Sequence, residues 1–136
     1  MLQPDLGSLP GIHMPKAQPL ALIVDADKRA RRICRTILED LGCAIDETDS
    51  GVAAISSARS RTPSVILLGQ QLRDVSGWEV GQWLQTMPSL LETPVVVLGA
   101  APDADPHSIK MPFVTYLRAP LSAKSLRQSL RSALKK

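Results

Sequence analysis

The sequence predicts an α/β protein built on a five-stranded parallel sheet in the order 2-1-3-4-5, with helices on both faces. Three observations carry this expectation. The runs Leu20–Val24, 65–68 and Val95–Leu98 are short and continuously apolar, as strands buried on both faces are. Between such runs lie segments whose apolar residues recur at helical spacing. Parallel strands need crossover connections, so strands alternating with helices imply a parallel sheet. Right-handed crossovers and a switch point between the first and third strands give the order.

The elements follow one another along the chain. Residues 1–19 hold four prolines (Pro4, Pro10, Pro15, Pro19) and two glycines with no sustained period, and read as a flexible tail before a domain spanning 20–136. After the first strand, Asp27 is the expected N-cap of a helix whose Ala30, Ile33, Cys34, Ile37, Leu38 and Leu41 share a face, with Gly42 as its stop. Ala44–Thr48 is a weaker second strand, and Ser50 caps a small-residue helix reaching about Ser60. Gly77 precedes a helix carrying Val80, Trp83, Leu84 and Met87 up to Pro88. Val114–Leu117 is the last strand, and the last helix starts near Ser122 with Leu126, Leu130 and Leu134 on one face. Residues 101–113 contain three prolines where the fourth helix should lie. An interior proline removes a donor and costs roughly 3 kcal/mol, so that helix is predicted to be short or irregular.

A chain of 136 residues can close one hydrophobic core, and 44% hydrophobic with 21% charged residues is ordinary for a soluble protein. No apolar run approaches a membrane span, and the first residues lack the pattern of a secretory signal, so a cytoplasmic location is expected. Cys34 and Cys43 make neither a metal-ligand pattern nor a disulfide scaffold, and are expected as reduced thiols. The net charge of +3 permits an acidic partner without demanding nucleic acid.

In sheets of this kind the functional crevice lies at the carboxyl ends of the strands, near the switch point. Asp25, Gly69, Gly99 and Ala119 fall at such ends. Taken in order, the run 21–27, the run 63–69, Ser76-Gly77, the run 94–100 and the run 116–120 resemble the receiver domain of bacterial two-component response regulators. The resemblance covers nearly all of residues 20–136 and implies a flavodoxin-like fold. It places the family's two Mg²⁺-holding acids on Asp25 and Ala26, its phosphoacceptor aspartate on Gly69, its switch hydroxyl on Gly99 and its lysine on Ala119. Glycine has no carboxylate to take a phosphoryl group, and Mg²⁺ wants several oxygen ligands. The chain is therefore expected to be a degenerate pseudo-receiver: not an enzyme, with no metal site and with Mg²⁺ binding weak or absent. Asp25 is the one retained family ligand. Asp74, in the following loop, would need a large rearrangement to substitute for an acid at Gly69.

The remaining candidates concern switching and interaction. Tyr116 falls on the family's switch tyrosine. Aromatics total only 3%, yet Trp78 and Trp83 share one helix, and an exposed tryptophan makes an interface anchor. Lys28, Arg31, Arg32 and Arg35 share a face of the first helix, and Lys124, Arg127 and Arg131 a face of the last. In receivers these regions dock on kinase or phosphotransfer helices. The expected function is a stand-alone, phosphorylation-independent interaction module of two-component or phosphorelay signalling, with a histidine kinase, phosphotransfer protein or other signalling protein as partner. The alternatives are a response regulator still phosphorylated or switched at a non-standard site, and a weak nucleic-acid-binding regulator. Few stacking aromatics and no appended helix-turn-helix argue against the last. Family-style dimerisation through the fourth helix is not expected, given its prolines.

Overall fold

A computed structural model describes residues 18–98, 114–117 and 122–135; the predicted tail up to residue 17, Gly99, segment 101–113, where a short or irregular fourth helix was expected, and Ala119 lie outside them. The elements are β1 (Leu20–Val24), α1 (Lys28–Asp40), β2 (Ala44–Thr48), α2 (Gly51–Ser60), β3 (Val65–Gly69), α3 (Gly77–Gln85), a 3₁₀ turn (Pro88–Leu90), β4 (Val95–Leu98), β5 (Val114–Leu117) and α4 (Ala123–Leu134).

The strands lie in the order β2-β1-β3-β4-β5. Ala21 pairs with Ile45 on one side and Val65 on the other, and Ile66 pairs with Val95, all in parallel. The predicted order of the first four strands and the reversal between β1 and β3 therefore hold. At the far edge Val97 of β4 stands beside Tyr116 of β5.

Successive strand residues point to opposite faces, and both faces are covered. Leu22, Val24, Ile66, Leu68 and Val97 pack with Ala54 and Ala58 of α2 and with Val80 and Leu84 of α3. Ala21, Ile23, Val65, Leu67 and Val96 pack with Cys34, Ile37 and Leu38 of α1 and with Leu126 and Leu130 of α4. Double burial is why β1 and β3 read as unbroken apolar runs rather than alternating ones.

Local chemistry sets the helix ends. Asp27 accepts the Arg29 N–H at 2.9 Å, Ser50 the Ala53 N–H at 3.2 Å, Ser76 the Glu79 N–H at 3.2 Å and Ser122 the Ser125 N–H at 3.0 Å. Gly42 follows α1 with φ 90°, a left-handed conformation that glycine adopts without cost. The predicted third helix ends earlier than expected, at Gln85. Met87 before Pro88 is extended, because a proline ring disfavours helical geometry in the residue preceding it.

Trp83, a candidate anchor on the same helix as Val80 and Leu84, does not share their burial. Those two are buried, whereas Trp83 is 42% exposed and Trp78 is half-buried. At 100° per residue, a face centred on Val80, Gly81 and Leu84 leaves Trp83 on its flank. Cys34 and Cys43 are both buried free thiols. Burial pushes the Cys34 thiol up to about 12, so it is an unreactive core residue. Among the described residues no helix is long and apolar enough to cross a membrane.

Candidate functional site

The crevice at the carboxyl end of the sheet begins where β1 finishes beside β3, Val24 being paired with Leu68. The next residues are Asp25 and Gly69. The Asp25 side chain leans over the glycine: a Cβ added to Gly69 would lie 2.6 Å from both Cγ and Oδ2 of Asp25. The carboxylate thus fills the volume that a side chain at residue 69 would enter.

Asp25 is held there from two directions. Its Oδ1 accepts the Asp27 N–H at 2.9 Å, and its carbonyl oxygen accepts from Arg31 Nη1 at 2.6 Å. Burial raises the Asp25 carboxyl above its ordinary range; the Asp27 N–H opposes that rise, the Asp27 charge adds to it and the Arg31 charge works against it. Ala26 is exposed and contributes only its backbone, donating its N–H to Gln71 O at 3.3 Å. Asp27 is committed to capping α1.

Mg²⁺ requires near-octahedral oxygen coordination, usually from more than one carboxylate or from a carboxylate and a phosphate. Here Asp25 supplies one carboxylate. Among the described residues no group of three or more His, Cys, Asp or Glu side chains is arranged to hold a metal ion. The described side chains alone do not fit the ion.

The loop after Gly69 packs down on the site. A Cβ on Gly77, the first residue of α3, would collide with the Gly69 carbonyl oxygen, so this approach of helix to strand requires glycine. The Gly77 N–H donates to Gln70 O at 2.8 Å. Asp74 is bound to the amino end of α2 by Ser50 Oγ at 2.8 Å and the Gly51 N–H at 2.8 Å. These bonds hold its carboxyl well below the usual carboxylate range. Sequence reasoning had no means of finding this contact, because its partners lie 23 and 24 residues away.

The basic candidates separate. Arg31 and Arg35 do not form a free stripe with Lys28 and Arg32: Arg31 Nε donates to Glu47 Oε1 at 3.2 Å and Arg35 Nε to Glu47 Oε2 at 2.6 Å. Glu47 projects from the edge strand β2, and the Arg31 side chain is only 14% exposed. Arg127 of α4 donates to Asp40 of α1 at 2.9 Å, tying the two helices together. Lys28, Arg29, Arg32 and Lys124 are exposed and make no ion pair among the described residues. Between the amino ends of α1 and α4 lies a groove of about 170 Å³ lined by Ala30, Ile33, Leu98, Ala123 and Leu126 among others, and Ile33 is 48% exposed. A larger cavity of about 490 Å³ lies at the opposite pole, among Pro19, Pro63, Pro94 and Leu134. Tyr116 is placed on β5, at the same end of the sheet as the groove.

A doubly covered parallel sheet in this order, with its crevice at Asp25 and Gly69, is the frame of a signalling receiver. The chain belongs to that family: the response regulator receiver domain matches residues 21–131. It is similar to the polar-differentiation response regulator DivK of Brucella anthropi, 30% identical over 123 residues that cover 89% of this chain and 98% of the relative. DivK of Brucella ovis is 30% identical over 115 residues, covering 83% and 94%. Among solved structures, the chemotaxis response regulator CheY4 of Vibrio cholerae superposes with a TM-score of 0.74 at 19% identity, covering 87% of this chain and 100% of that one, a likeness of fold. The CheY-like receiver domain of Methylobacillus flagellatus gives 0.72 at 26% identity, covering 86% and 99%.

Proposed function

We propose that this chain is a pseudo-receiver: a phosphorylation-independent interaction module of two-component or phosphorelay signalling. One observation carries the reading. At the end of β3, where the family resemblance puts the phosphoacceptor aspartate, stands Gly69, and the carboxylate of Asp25 occupies the space above it. A glycine offers no oxygen to a phosphoryl group, and one carboxylate is a poor seat for Mg²⁺. On this reading the chain is not an enzyme and needs no cofactor. Asp74 is a weak candidate for a non-standard phosphosite, because both its oxygens accept hydrogen bonds from the start of α2. A cytoplasmic site of action goes with such a partner set.

The partner is a histidine kinase or phosphotransfer protein, docking through a helix. The groove between α1 and α4 supplies an apolar strip with exposed Arg29 at its wall, while Lys28, Arg32 and Lys124 add exposed positive charge elsewhere on the same two helices. That combination suits an amphipathic helix with acidic residues beside its apolar face. Arg31, Arg35 and Arg127 hold the scaffold, so Arg29 and Ile33 replace them as the contact residues. Trp83, exposed on the other face, is a separate anchor for a second contact.

The test has two arms. Intact-mass measurement after incubation with acetyl phosphate and Mg²⁺ should show no phosphoryl adduct; a hydroxylamine-labile adduct overturns the proposal. Capture from native cells with tagged protein should recover a kinase or phosphotransfer protein, and lose it in Ile33→Asp and Arg29→Glu. Recovery unaffected by both variants would remove the docking surface from the proposal.

A further inference from the structure

The loop joining β3 to α3 is fastened to the start of α2 by one carboxylate. Asp74 Oδ1 accepts the Gly51 N–H at 2.8 Å and the Val75 N–H at 3.0 Å. Its Oδ2 accepts the Ser50 hydroxyl at 2.8 Å and the Val52 N–H at 3.2 Å. The first N–H groups of a helix have no partners within it and carry partial positive charge. In α2 they are met by the Ser50 hydroxyl, which takes the Ala53 N–H, and by a carboxylate from another segment of the chain. Hydrogen bonds to an ionised acceptor are roughly twice as strong as neutral ones.

Neighbouring contacts join the same two segments. The Arg73 N–H donates to Asp49 O at 2.9 Å, and the Arg73 guanidinium pairs with the Asp49 carboxylate at 3.3 Å. That ion pair is exposed and contributes little by itself. A Cβ on Gly51 would collide with Val75 and Val80, so the first turn of α2 lies directly on the loop and on α3. On the crevice side, Gln71 O accepts the Ala26 N–H at 3.3 Å, and Gly77 abuts Gly69. One loop therefore touches the α2 amino end on one side and the Asp25–Gly69 crevice on the other.

We propose that Asp74 is a conformational latch: its carboxylate, seated on the amino end of α2, fixes loop 70–76 and with it the crevice wall, through internal contacts rather than a ligand in the crevice. Segments 49–52 and 70–77 then open together as one local unit, without the sheet. This is a property of the loop and is independent of whether residue 69 can be phosphorylated. Asp74 acts as a positioning residue.

Amide hydrogen exchange on the full chain in Mg²⁺-free buffer, residue by residue, tests it. In Asp74→Ala the Gly51, Val52, Val75 and Gly77 amides should exchange roughly tenfold to hundredfold faster, matching the loss of hydrogen bonds to a charged acceptor. In the wild type these four amides should share one opening free energy, lower than that of the Leu22, Ile66 and Leu67 amides inside the sheet. Asp74→Asn keeps the side-chain shape and one acceptor oxygen; it should give a smaller change at the same four amides, and it serves if the alanine variant fails to fold. Wild-type opening of the four amides only together with the strand amides would mean that Asp74 merely adds to global stability. No acceleration at Gly51, Val52, Val75 and Gly77 would mean that the loop is held by its other contacts. Either result overturns the latch.

Discussion

The carboxylate of Asp25 stands where the side chain of residue 69 would be: its Cγ is 2.6 Å from the position of a Cβ on Gly69. Asp25 follows the end of β1 and Gly69 ends β3, the strand beside it, so the two backbones are held together by the sheet. The glycine at 69 and the posture of the aspartate at 25 are one arrangement.

Gly69→Ala should therefore push the Asp25 carboxylate off its bond to the Asp27 N–H. We expect a loss of about 1–2 kcal/mol, the usual range for an overpacked buried site. Paired with Asp25→Ala, the effects should not add, because the clash that one residue creates is removed by the other. Urea denaturation of the two single variants and the double variant measures the coupling.

Gly77→Ala should cost more than Gly51→Ala. At Gly77 the obstacle is the Gly69 backbone carbonyl, whereas at Gly51 it is the methyl groups of Val75 and Val80. A valine side chain can turn and a strand carbonyl cannot. About 3 kcal/mol is expected for Gly77→Ala, with a smaller loss at Gly51, by the same denaturation measurement.

Two aspartates should leave opposite marks on the pH dependence of stability. The folded-state pKa of Asp74 is lowered by its hydrogen bonds to Gly51 and Ser50, so its contribution is present above the unfolded value of about 3.9 and is lost as pH falls through the folded value. The folded-state pKa of Asp25 is raised by burial, so its contribution is full below the unfolded value and is lost as pH rises through the folded one. At pH 7 Asp74→Asn should lower the melting temperature, whereas Asp25→Asn, which keeps an acceptor for the Asp27 N–H, should leave it unchanged or raise it. Melting curves from pH 3 to pH 7 read both slopes.

The arginines of α1 should divide by role. Arg31→Ala removes bonds to Glu47 and to the Asp25 carbonyl from a largely buried position, and should destabilise the fold by about 1–2 kcal/mol. Arg29→Ala should leave the melting temperature within about a degree, since exposed substitutions change stability little, while weakening partner capture. Thermal melts and a binding assay on the same two proteins separate the effects.

Much of the frame was legible in the residues. The apolar runs marked β1, β3 and β4, and Asp27, Ser50 and Ser122 marked helix starts, because a cap bonds an N–H two or three residues ahead and local sequence contains both partners. Trp83 was a candidate anchor from its residue type and place in the helix alone; its exposure, on the flank of α3, follows from which face that helix lays on the sheet. The basic stripe of α1 was mistaken for a free surface because helical spacing shows which residues share a face and says nothing of what lies opposite. The acceptor, Glu47, sits on β2, across the edge of the sheet.

The sequence by itself determined the doubly buried strands, the order of the first four, the helix caps and the absence of a carboxylate at residue 69. Each depends on residue type or on contacts within one turn. Only the tertiary structure decided that Asp25 turns over Gly69, that Asp74 turns away to α2, and that Arg31 and Arg35 turn to Glu47. Those orientations are set by charge and space supplied from segments that are distant along the chain and meet only once the sheet has formed.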